Sequence, residues 1–271
     1  MSNNTNKTQL ARECGVSRAS LYYQPKRDVI DLGIKEQILR VLQTHKSYGH
    51  KRIALALKFN KKRILRVMKK YGIKPYRRRV IKPVKHEDMG KPPTSYPNLI
   101  KTLCPMRPNV IWVTDFTYIH FQDTFLYLAT IMDLYTREIV GFHVSAYHTS
   151  ALVVAALQHA MGNTRRAPII IHSDQGSEYD SKAFTQHATA YGMLISMSNK
   201  HSPWENGYQE SFYAHFKVDL GFVSQFDSIE TLIEGIYLTI HYYNYDRIHT
   251  RLKMSPVQFK KQFERRLHTT V

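Results

Sequence analysis

Proline constrains the fold of this chain more than any other residue type. Seven of the eleven prolines in its 271 residues lie between residues 75 and 108, among many lysines and arginines. Because proline interrupts helices and cannot donate a hydrogen bond to a sheet, this stretch cannot form a long regular element. We interpret residues 81–108 as an extended basic linker that could follow a phosphate backbone, although a plain spacer fits the composition equally well. The seven prolines are Pro75, Pro83, Pro92, Pro93, Pro97, Pro105 and Pro108.

The excess positive charge is confined to the first part of the chain. The sequence has 39 lysines and arginines against 21 aspartates and glutamates, a formal net charge of +18. Residues 1–100 contain 24 of the basic and 6 of the acidic residues, which leaves 15 of each beyond them. This distribution predicts a basic module for a polyanionic partner, joined to a charge-balanced domain. A solvated basic surface or a module for a membrane surface would show the same charge.

Other features of the sequence argue against several classes of protein. No apolar run is long enough to span a bilayer, and the N-terminus lacks the apolar core of a secretory signal. Cys14 and Cys104 are far apart in sequence, so they indicate neither a disulfide framework nor paired zinc ligands. We expect a cytoplasmic, nucleoid-associated protein without a membrane partner.

Two helical modules are predicted before the linker. Residues 1–28 are expected to form a helix-turn-helix, with a turn at Gly15 and a second helix capped by Ser17. Residues 29–80 have apolar residues at helical spacing and are expected to form a basic DNA-binding module. The pattern is weak by itself, because any small helical bundle looks similar. The DNA contacts predicted in this region are Arg63, Arg66, Lys70, Arg77, Arg78 and Arg79.

From residue 109 onward the pattern is typical of strands. Three such segments, NVIWVTDFTYIH, FLYLATIMDL and EIVGFHVS, are joined by short polar turns, which require antiparallel neighbours. Patterns of a helix, a strand, a helix, a strand and a helix follow. This order predicts an α/β, RNase H-like fold over residues 109–224, a five-stranded mixed sheet with flanking helices. Residues 225–271 are expected to form a C-terminal helical extension.

Three acidic residues fall where this layout places chemistry. Asp115 lies in the middle of the first strand, where an ionised side chain among apolar neighbours is costly without a partner. Asp174 lies at the carboxyl end of the fourth strand, the edge at which α/β sheets bind ligands. Strands one and four are adjacent in the predicted sheet, so these two aspartates are expected to face each other. Glu210 would project towards them from the last helix.

Three carboxylates without paired cysteines favour Mg²⁺, or Mn²⁺, over zinc. Two such ions about 4 Å apart can activate the attacking oxygen and stabilise the leaving oxygen of a phosphoryl transfer. Taken singly, each acid could instead be a turn or hydrogen-bonding residue. Other acids that could be confused with the three are Asp133, Glu178, Asp180 and Glu205.

The motifs WVTDFTY, HSDQGSEY and ENGYQESFYAHFK together resemble the three signatures of the DDE integrase core of retroviral integrases and bacterial transposases. The 35 residues between Asp174 and Glu210 are typical of that group. The chain is most similar to the OrfB-type protein of the IS-three family of insertion sequences, which YGHKRIALAL and the helix after it also resemble. The terminal HYYNYDRIHTRLKMSPVQF resembles that family's pattern at Tyr243, Asn244, Arg247, His249, Leu252, Pro256 and Phe259.

The resemblance implies that Asp115, Asp174 and Glu210 form a metal-binding triad. It also implies that Lys217, about two helical turns after Glu210, contacts phosphate. The chain departs from the family at residues 205–207, which read Glu-Asn-Gly where an Asp-Asn pair and a small residue are usual. This change concerns the positioning of DNA.

We therefore expect a DNA transposase that carries out metal-dependent phosphodiester hydrolysis and strand transfer at the ends of an insertion sequence. Its partners would be double-stranded DNA, namely element ends and target, further copies in a synaptic complex, and the first-frame OrfA product. Two alternatives remain open at this point: an inactive, integrase-like DNA-binding regulator, and a simple nuclease of the RNase H or resolvase type.

Overall fold

The chain divides into two compact units, residues 1–75 and residues 76–271. A computed structural model describes residues 7–22, 26–77, 96–199 and 207–269. Within these ranges, every helix is too short or too polar to cross a membrane.

The N-terminal unit is built from helices around an apolar centre. They are α1 (Lys7–Glu13), a 3-10 helix (Arg18–Tyr22), α2 (Lys26–Thr44), α3 (His50–Ala56) and α4 (Lys61–Lys70). Gly15 turns with φ of 64°, as the predicted turn requires, but a short 3-10 helix stands where a second α-helix was expected. The apolar positions Ile34, Ile38, Ile53, Ile64 and Val67 are buried.

The basic segment after Gly49 forms two helices separated by a short turn. Lys58 adopts a left-handed backbone with φ of 55°, and Asn60 caps α4 by accepting a hydrogen bond from the Lys62 N–H at 2.8 Å. α3 and α4 are therefore two helices joined by a short turn, within the segment predicted to form the basic helical module.

A five-stranded mixed sheet forms the centre of the second unit, as the order of elements predicts. Its strands are β1 (Ile111–Phe121), β2 (Thr124–Asp133), β3 (Ile139–Ser145), β4 (Ile170–Ser173) and β5 (Leu194–Met197), in the spatial order β3-β2-β1-β4-β5. β1 and β3 pair antiparallel with β2, whereas β4 runs parallel to both β1 and β5. The first and fourth strands are therefore neighbours.

Helices cover both faces of this sheet. They are α5 (Ser150–Thr164), α6 (Lys182–Ala190), α7 (Gly207–Leu220), α8 (Ile229–Tyr245) and α9 (Pro256–Thr269). Trp112 of β1 packs with α5 and α6 on one face, whereas its neighbours Ile111 and Val113 pack with α7 and α8 on the other. Leu232 and Ile236 of α8 are fully buried in this second core. The helix after residue 225 therefore packs as part of the same unit as the sheet.

The end of the predicted linker lies along the edge strand β5. The Met197 N–H donates to the carbonyl oxygen of Pro97 at 3.2 Å, and the Leu99 N–H donates to the Ser196 hydroxyl at 2.9 Å. Residues 97–99 thus protect part of an edge that would otherwise be open to further pairing. The greater part of the predicted linker, residues 81–95, lies outside the described residues.

Candidate active site

Two of the predicted acids, Asp115 and Asp174, lie on neighbouring parallel strands. Val113 of β1 is paired with His172 of β4, and each aspartate lies two positions further along the chain. Asp174 directly follows Ser173, the last residue of β4. The structure therefore brings both carboxylates to the carboxyl edge of the β1–β4 pair, where α/β sheets place their ligands.

The local backbone orients both carboxylates. The Phe116 N–H donates to Oδ1 of Asp115 at 2.8 Å, and the Gly176 N–H donates to Oδ1 of Asp174 at 3.0 Å. A Cβ at residue 176 would lie 3.0 Å from Asp174 Oδ1 and 2.6 Å from Glu178 Oε2. A larger residue at this position would therefore require the Glu178 side chain to move and would crowd the Asp174 carboxylate.

Two buried tyrosines support the strand that carries Asp115. The Tyr213 hydroxyl donates to the backbone carbonyl oxygen of Asp115 at 2.6 Å, and Tyr179 accepts a hydrogen bond from the Thr114 hydroxyl at 3.3 Å. Burial raises the pKa of both phenols well above the ordinary value of 10, and the negative charges of Asp115 and Asp174 raise it further. Both tyrosines therefore remain protonated. Asp115 and Asp174 each raise the pKa of both phenols.

Helix α7 is fixed to β1 by its buried face. Gln209 is fully buried and donates from Nε2 to the carbonyl oxygen of Val113 at 2.7 Å, while its Oε1 accepts from the Thr130 hydroxyl at 3.1 Å. Glu210 is the next residue, so these bonds also fix the backbone position of the third predicted acid.

Glu210 itself is exposed in the first turn of α7. Within the parts of the chain that the structure describes, no group of three or more His, Cys, Asp or Glu side chains is placed to hold a metal ion. The structure thus brings Asp115 and Asp174 to one edge but does not join Glu210 to them. The complete triad stays a prediction.

Lys217 lies on α7, seven residues after Glu210. Its ammonium group lies 5.3 Å from the centre of the Tyr118 ring, three residues after Asp115 on β1. The predicted phosphate-binding lysine is therefore on the side of α7 that meets β1.

Neighbouring acids are distinguished from the candidates by their contacts. Asp133 is buried, and its Oδ1 accepts the N–H groups of Tyr135 and Thr136 at 3.0 and 2.7 Å, as expected of a turn residue. Glu178 is also buried and forms an ion-pair contact of 2.9 Å with His148. Asp180 is exposed, and Glu205 lies outside the described residues.

In the N-terminal unit, the structure pairs two predicted DNA contacts with acids. Both terminal nitrogens of Arg66 bond the fully buried Asp31 at 2.6 Å, and Lys70 contacts Asp28 at 2.5 Å and Asp31 at 3.2 Å. Arg63 is exposed, with its guanidinium 5.9 Å from the Phe59 ring. In the second unit Arg77 is exposed, whereas Arg78 and Arg79 lie outside the described residues.

The positioning residues Gln209 and Tyr213 were missed by reasoning from the sequence. A signal was present, because the buried residues of α7 repeat at helical spacing and include Gln209 as the first member. A polar residue in such an apolar stripe must find a hydrogen-bond partner in the core. The full set is Gln209, Phe212, Tyr213, Phe216 and Leu220.

Sequence comparison decides the family. Two family models, both described as Integrase core domain, match residues 105–203 and 191–256. The transposase for insertion sequence element IS904 of Lactococcus lactis subsp. lactis is 32% identical over 252 residues, which cover 89% of this chain and 99% of the relative. The chain belongs to the OrfB-type transposases of the IS-three family. It is a DNA transposase, a polynucleotidyl transferase with a DDE integrase core.

Other known proteins agree with this assignment. The putative transposase InsK for insertion sequence element IS150 of Escherichia coli is 26% identical to this transposase. The match covers 94% of this chain and 93% of InsK. A simian T-cell lymphotropic virus intasome, solved in complex with the PP2A regulatory subunit B56 gamma, contains a chain with the same fold. That chain is 17% identical with a TM-score of 0.52, over 83% of this transposase and 74% of the viral chain. The RNase H-like fold predicted from the sequence is therefore confirmed.

Proposed function

We propose that this transposase cleaves and joins DNA at the ends of an insertion sequence, using Asp115, Asp174 and Glu210 as its catalytic acids. The observation that carries the proposal is the position of Asp115 and Asp174 at the carboxyl edge of two adjacent parallel strands. Glu210 would complete the set from the first turn of α7, whose position relative to β1 depends on Gln209 and Tyr213.

The donor atoms at this edge suit a divalent cation. The side chains of Asp115 and Asp174 are half-buried and supply carboxylate oxygens, which are the ligands that Mg²⁺ and Mn²⁺ prefer. Two bound Mg²⁺ ions, or Mn²⁺ in their place, would supply Lewis-acid activation of the attacking oxygen and stabilisation of the leaving oxygen.

The reaction needs no covalent enzyme intermediate. In the first step, water attacks a phosphodiester at the element end, the bond from phosphorus to the 3′ oxygen breaks, and that oxygen leaves as a hydroxyl. In the second step, this 3′-hydroxyl attacks a phosphodiester of the target, forming a new phosphorus–oxygen bond as the target's own 3′ oxygen leaves. Lys217 would hold a phosphate near the reacting group, while the protonated Tyr179 and Tyr213 keep the Asp115 strand in place.

The basic N-terminal part would supply affinity for double-stranded DNA. In this proposal the helical modules at residues 1–28 and 29–80 bind element ends, and the linker at residues 81–108 connects them to the catalytic core at residues 109–224. Arg63, Arg77, Arg78 and Arg79 would contact phosphates. Arg66 and Lys70, which are paired with acids, would contribute less. Two DNA ends must meet, so we propose a homo-oligomeric synaptic complex and assistance from the first-frame OrfA product.

The decisive experiment compares matched carboxylate variants of the full chain. Labelled duplexes carrying the ends that flank its gene are incubated with Mg²⁺ or Mn²⁺ and with wild type, Asp174→Asn, Glu210→Gln or the control Asp180→Asn. Asp180 is exposed and lies six residues after Asp174, so its amide variant tests for a general effect of lost charge.

We expect nicking and strand transfer by wild type and Asp180→Asn, and neither reaction by the other two variants, with DNA binding retained by all four. Strand transfer by folded Asp174→Asn would refute the assignment. Nicking without joined products by wild type would identify a simple nuclease. If wild type binds DNA without any reaction, addition of the OrfA product separates a transposase that needs its partner from an inactive regulator.

A further inference from the structure

Arg137 is a buried arginine beside the first turn of α7, and the proposed reaction leaves it without a role. It lies in the turn between β2 and β3, where its backbone adopts φ of 64°, and only 7% of the residue is exposed. Its guanidinium lies 4.0 Å from the centre of the Tyr208 ring, in the first turn of α7. Its Nη1 is buried and has no hydrogen-bond partner among the residues that the structure describes.

The two acids nearest in sequence to Arg137, Glu138 and Asp133, have other partners. Glu138 pairs with Lys260 at 2.9 Å. Asp133 accepts hydrogen bonds from the N–H groups of Tyr135 and Thr136 through Oδ1, and from the Asn109 N–H through Oδ2 at 2.6 Å. These bonds hold the turn that presents Arg137. Within the described ranges, no salt bridge joins Arg137 to a carboxylate.

A second arginine adds to the uncompensated charge. Burial lowers the pKa of Arg137, and the positive charge of the exposed Arg251 lowers it further, whereas Tyr208 and Tyr243 oppose these effects. A buried guanidinium that feels the charge of another cation, and has no carboxylate partner among the described residues, is costly in the free protein. An anion bound at the unpartnered Nη1 of Arg137 would reduce that cost.

We propose that Arg137 and Arg251 form a binding site for a phosphate of the DNA backbone, beside the first turn of α7. Arginine suits this ligand because its planar group of N–H donors matches phosphate oxygens. Tyr208 is two residues before Glu210, so a phosphate held there would bring the DNA strand to the helical turn that carries Glu210. The assignment of DNA as the ligand depends on the function proposed above.

The test measures how DNA affinity changes with salt. Full-length wild type, Arg137→Gln, Arg251→Gln and the control Arg165→Gln are titrated against a labelled mixed-sequence duplex by fluorescence anisotropy at several salt concentrations. Arg165 is a matched control because it also has a left-handed backbone, with φ of 51°, but is exposed at the end of α5. Thermal unfolding of each protein is recorded without ligand, with inorganic phosphate and with the duplex.

Each phosphate contact contributes about 0.9 to the slope of log affinity against log salt. We expect Arg137→Gln and Arg251→Gln each to lower the slope by about that amount and to weaken binding several-fold, whereas Arg165→Gln matches wild type. The duplex should raise the melting temperature of wild type more than that of Arg137→Gln.

Three outcomes would count against the proposal or its basis. Unchanged slopes in both variants, with a lower melting temperature for Arg137→Gln, would make Arg137 a structural residue only. If inorganic phosphate raises the melting temperature of wild type as much as the duplex does, and the slopes of both variants are unchanged, the site binds free phosphate. A wild type that fails to bind the duplex would instead refute the proposed function. Arg251→Gln keeps the test valid if Arg137→Gln does not fold, since Arg251 is exposed.

Discussion

The Tyr213 hydroxyl donates a hydrogen bond to the backbone carbonyl oxygen of Asp115, with 2.6 Å between the two oxygens. The same hydroxyl lies 2.8 Å from the Thr130 hydroxyl, on the strand paired with β1. One side chain of α7 therefore contacts both β1 and β2 at the level of Asp115. Glu210 lies three residues earlier on α7, so this contact also connects the helix that carries Glu210 to the strand that carries Asp115.

Tyr213→Phe tests that link. It removes the donor to the Asp115 carbonyl oxygen, at a cost of about 1–3 kcal/mol for a buried polar group, while the Thr130 hydroxyl keeps its bond to Gln209. We expect a lower free energy of unfolding in urea and slower DNA nicking. The control is Tyr191→Phe, which removes the hydroxyl of a ring that is 38% exposed and should leave both measurements unchanged. Equal stability of Tyr213→Phe and wild type would show that the bond contributes nothing.

Gly141 sets the distance between β3 and α5. A Cβ there would lie 2.5 Å from Ala160 Cβ and 2.6 Å from the Ala156 carbonyl oxygen, closer than atoms can approach. Gly141→Ala should therefore destabilise the protein by about 1–3 kcal/mol in urea unfolding, through overpacking. Gly162→Ala is the matched control, because open space surrounds that position within α5 and alanine favours the helix. It should stabilise by about 0.5–1 kcal/mol; a loss of equal size in both variants would contradict the packing argument.

The sequence predicts the sheet well because its constraints are local. Short turns after Phe121 and Asp133 permit only antiparallel pairing, and the longer helical connections that follow permit parallel strands. This order places Asp115 and Asp174 on adjacent strands before any coordinates are known. The position of Glu210 is harder to predict, since it depends on how α7 packs.

Pairings between distant residues could not be predicted. Arg66 was expected to face DNA because it belongs to a basic helix, yet it bonds Asp31, which is 35 positions away. The burial of Arg137 likewise depends on the geometry of its turn and on the packing of Tyr208, from α7, against its guanidinium. Charge pattern along a helix shows which residues are basic, but only tertiary packing decides which of them are already paired.

Arg247, part of the C-terminal family motif, forms a buried ion pair with Asp219 at the end of α7. The side chains of Arg247 and Asp219 are 2% and 7% exposed. Arg247→Leu takes this partner away from the buried Asp219 carboxylate, so it should lower the free energy of unfolding by about 3–5 kcal/mol. Arg166→Leu, at an exposed position, should change it little.

The double variant Asp219→Leu/Arg247→Leu separates loss of the pair from loss of packing. Since a buried pair can be replaced by apolar side chains at small cost, we expect it to recover much of the stability that Arg247→Leu loses. A double variant less stable than both single variants would mean that neither charge depends on the other.

The Asp31–Arg66 pair should make the N-terminal unit sensitive to acid. Hydrogen bonds from Arg66, with a further contribution from Lys70, lower the pKa of Asp31 from 3.8 to about 2, although burial acts in the opposite direction. Because the folded pKa lies below the unfolded value, the ionised carboxylate stabilises the fold above pH 4. That contribution is lost as the pH falls from about 4 towards 2.

The measurement is the difference in urea midpoint, followed by circular dichroism, between wild type and Asp31→Asn at a series of pH values from 7 to 2. Titration of the other acids affects both proteins and cancels in this difference. Wild type should be the more stable at pH 7, and the gap should close below pH 4, where its own carboxylate becomes protonated. Asp28→Asn, which removes an exposed partner of Lys70, should give a smaller gap throughout. A gap for Asp31→Asn that stays constant down to pH 2 would mean that the charge of Asp31 does not stabilise the unit.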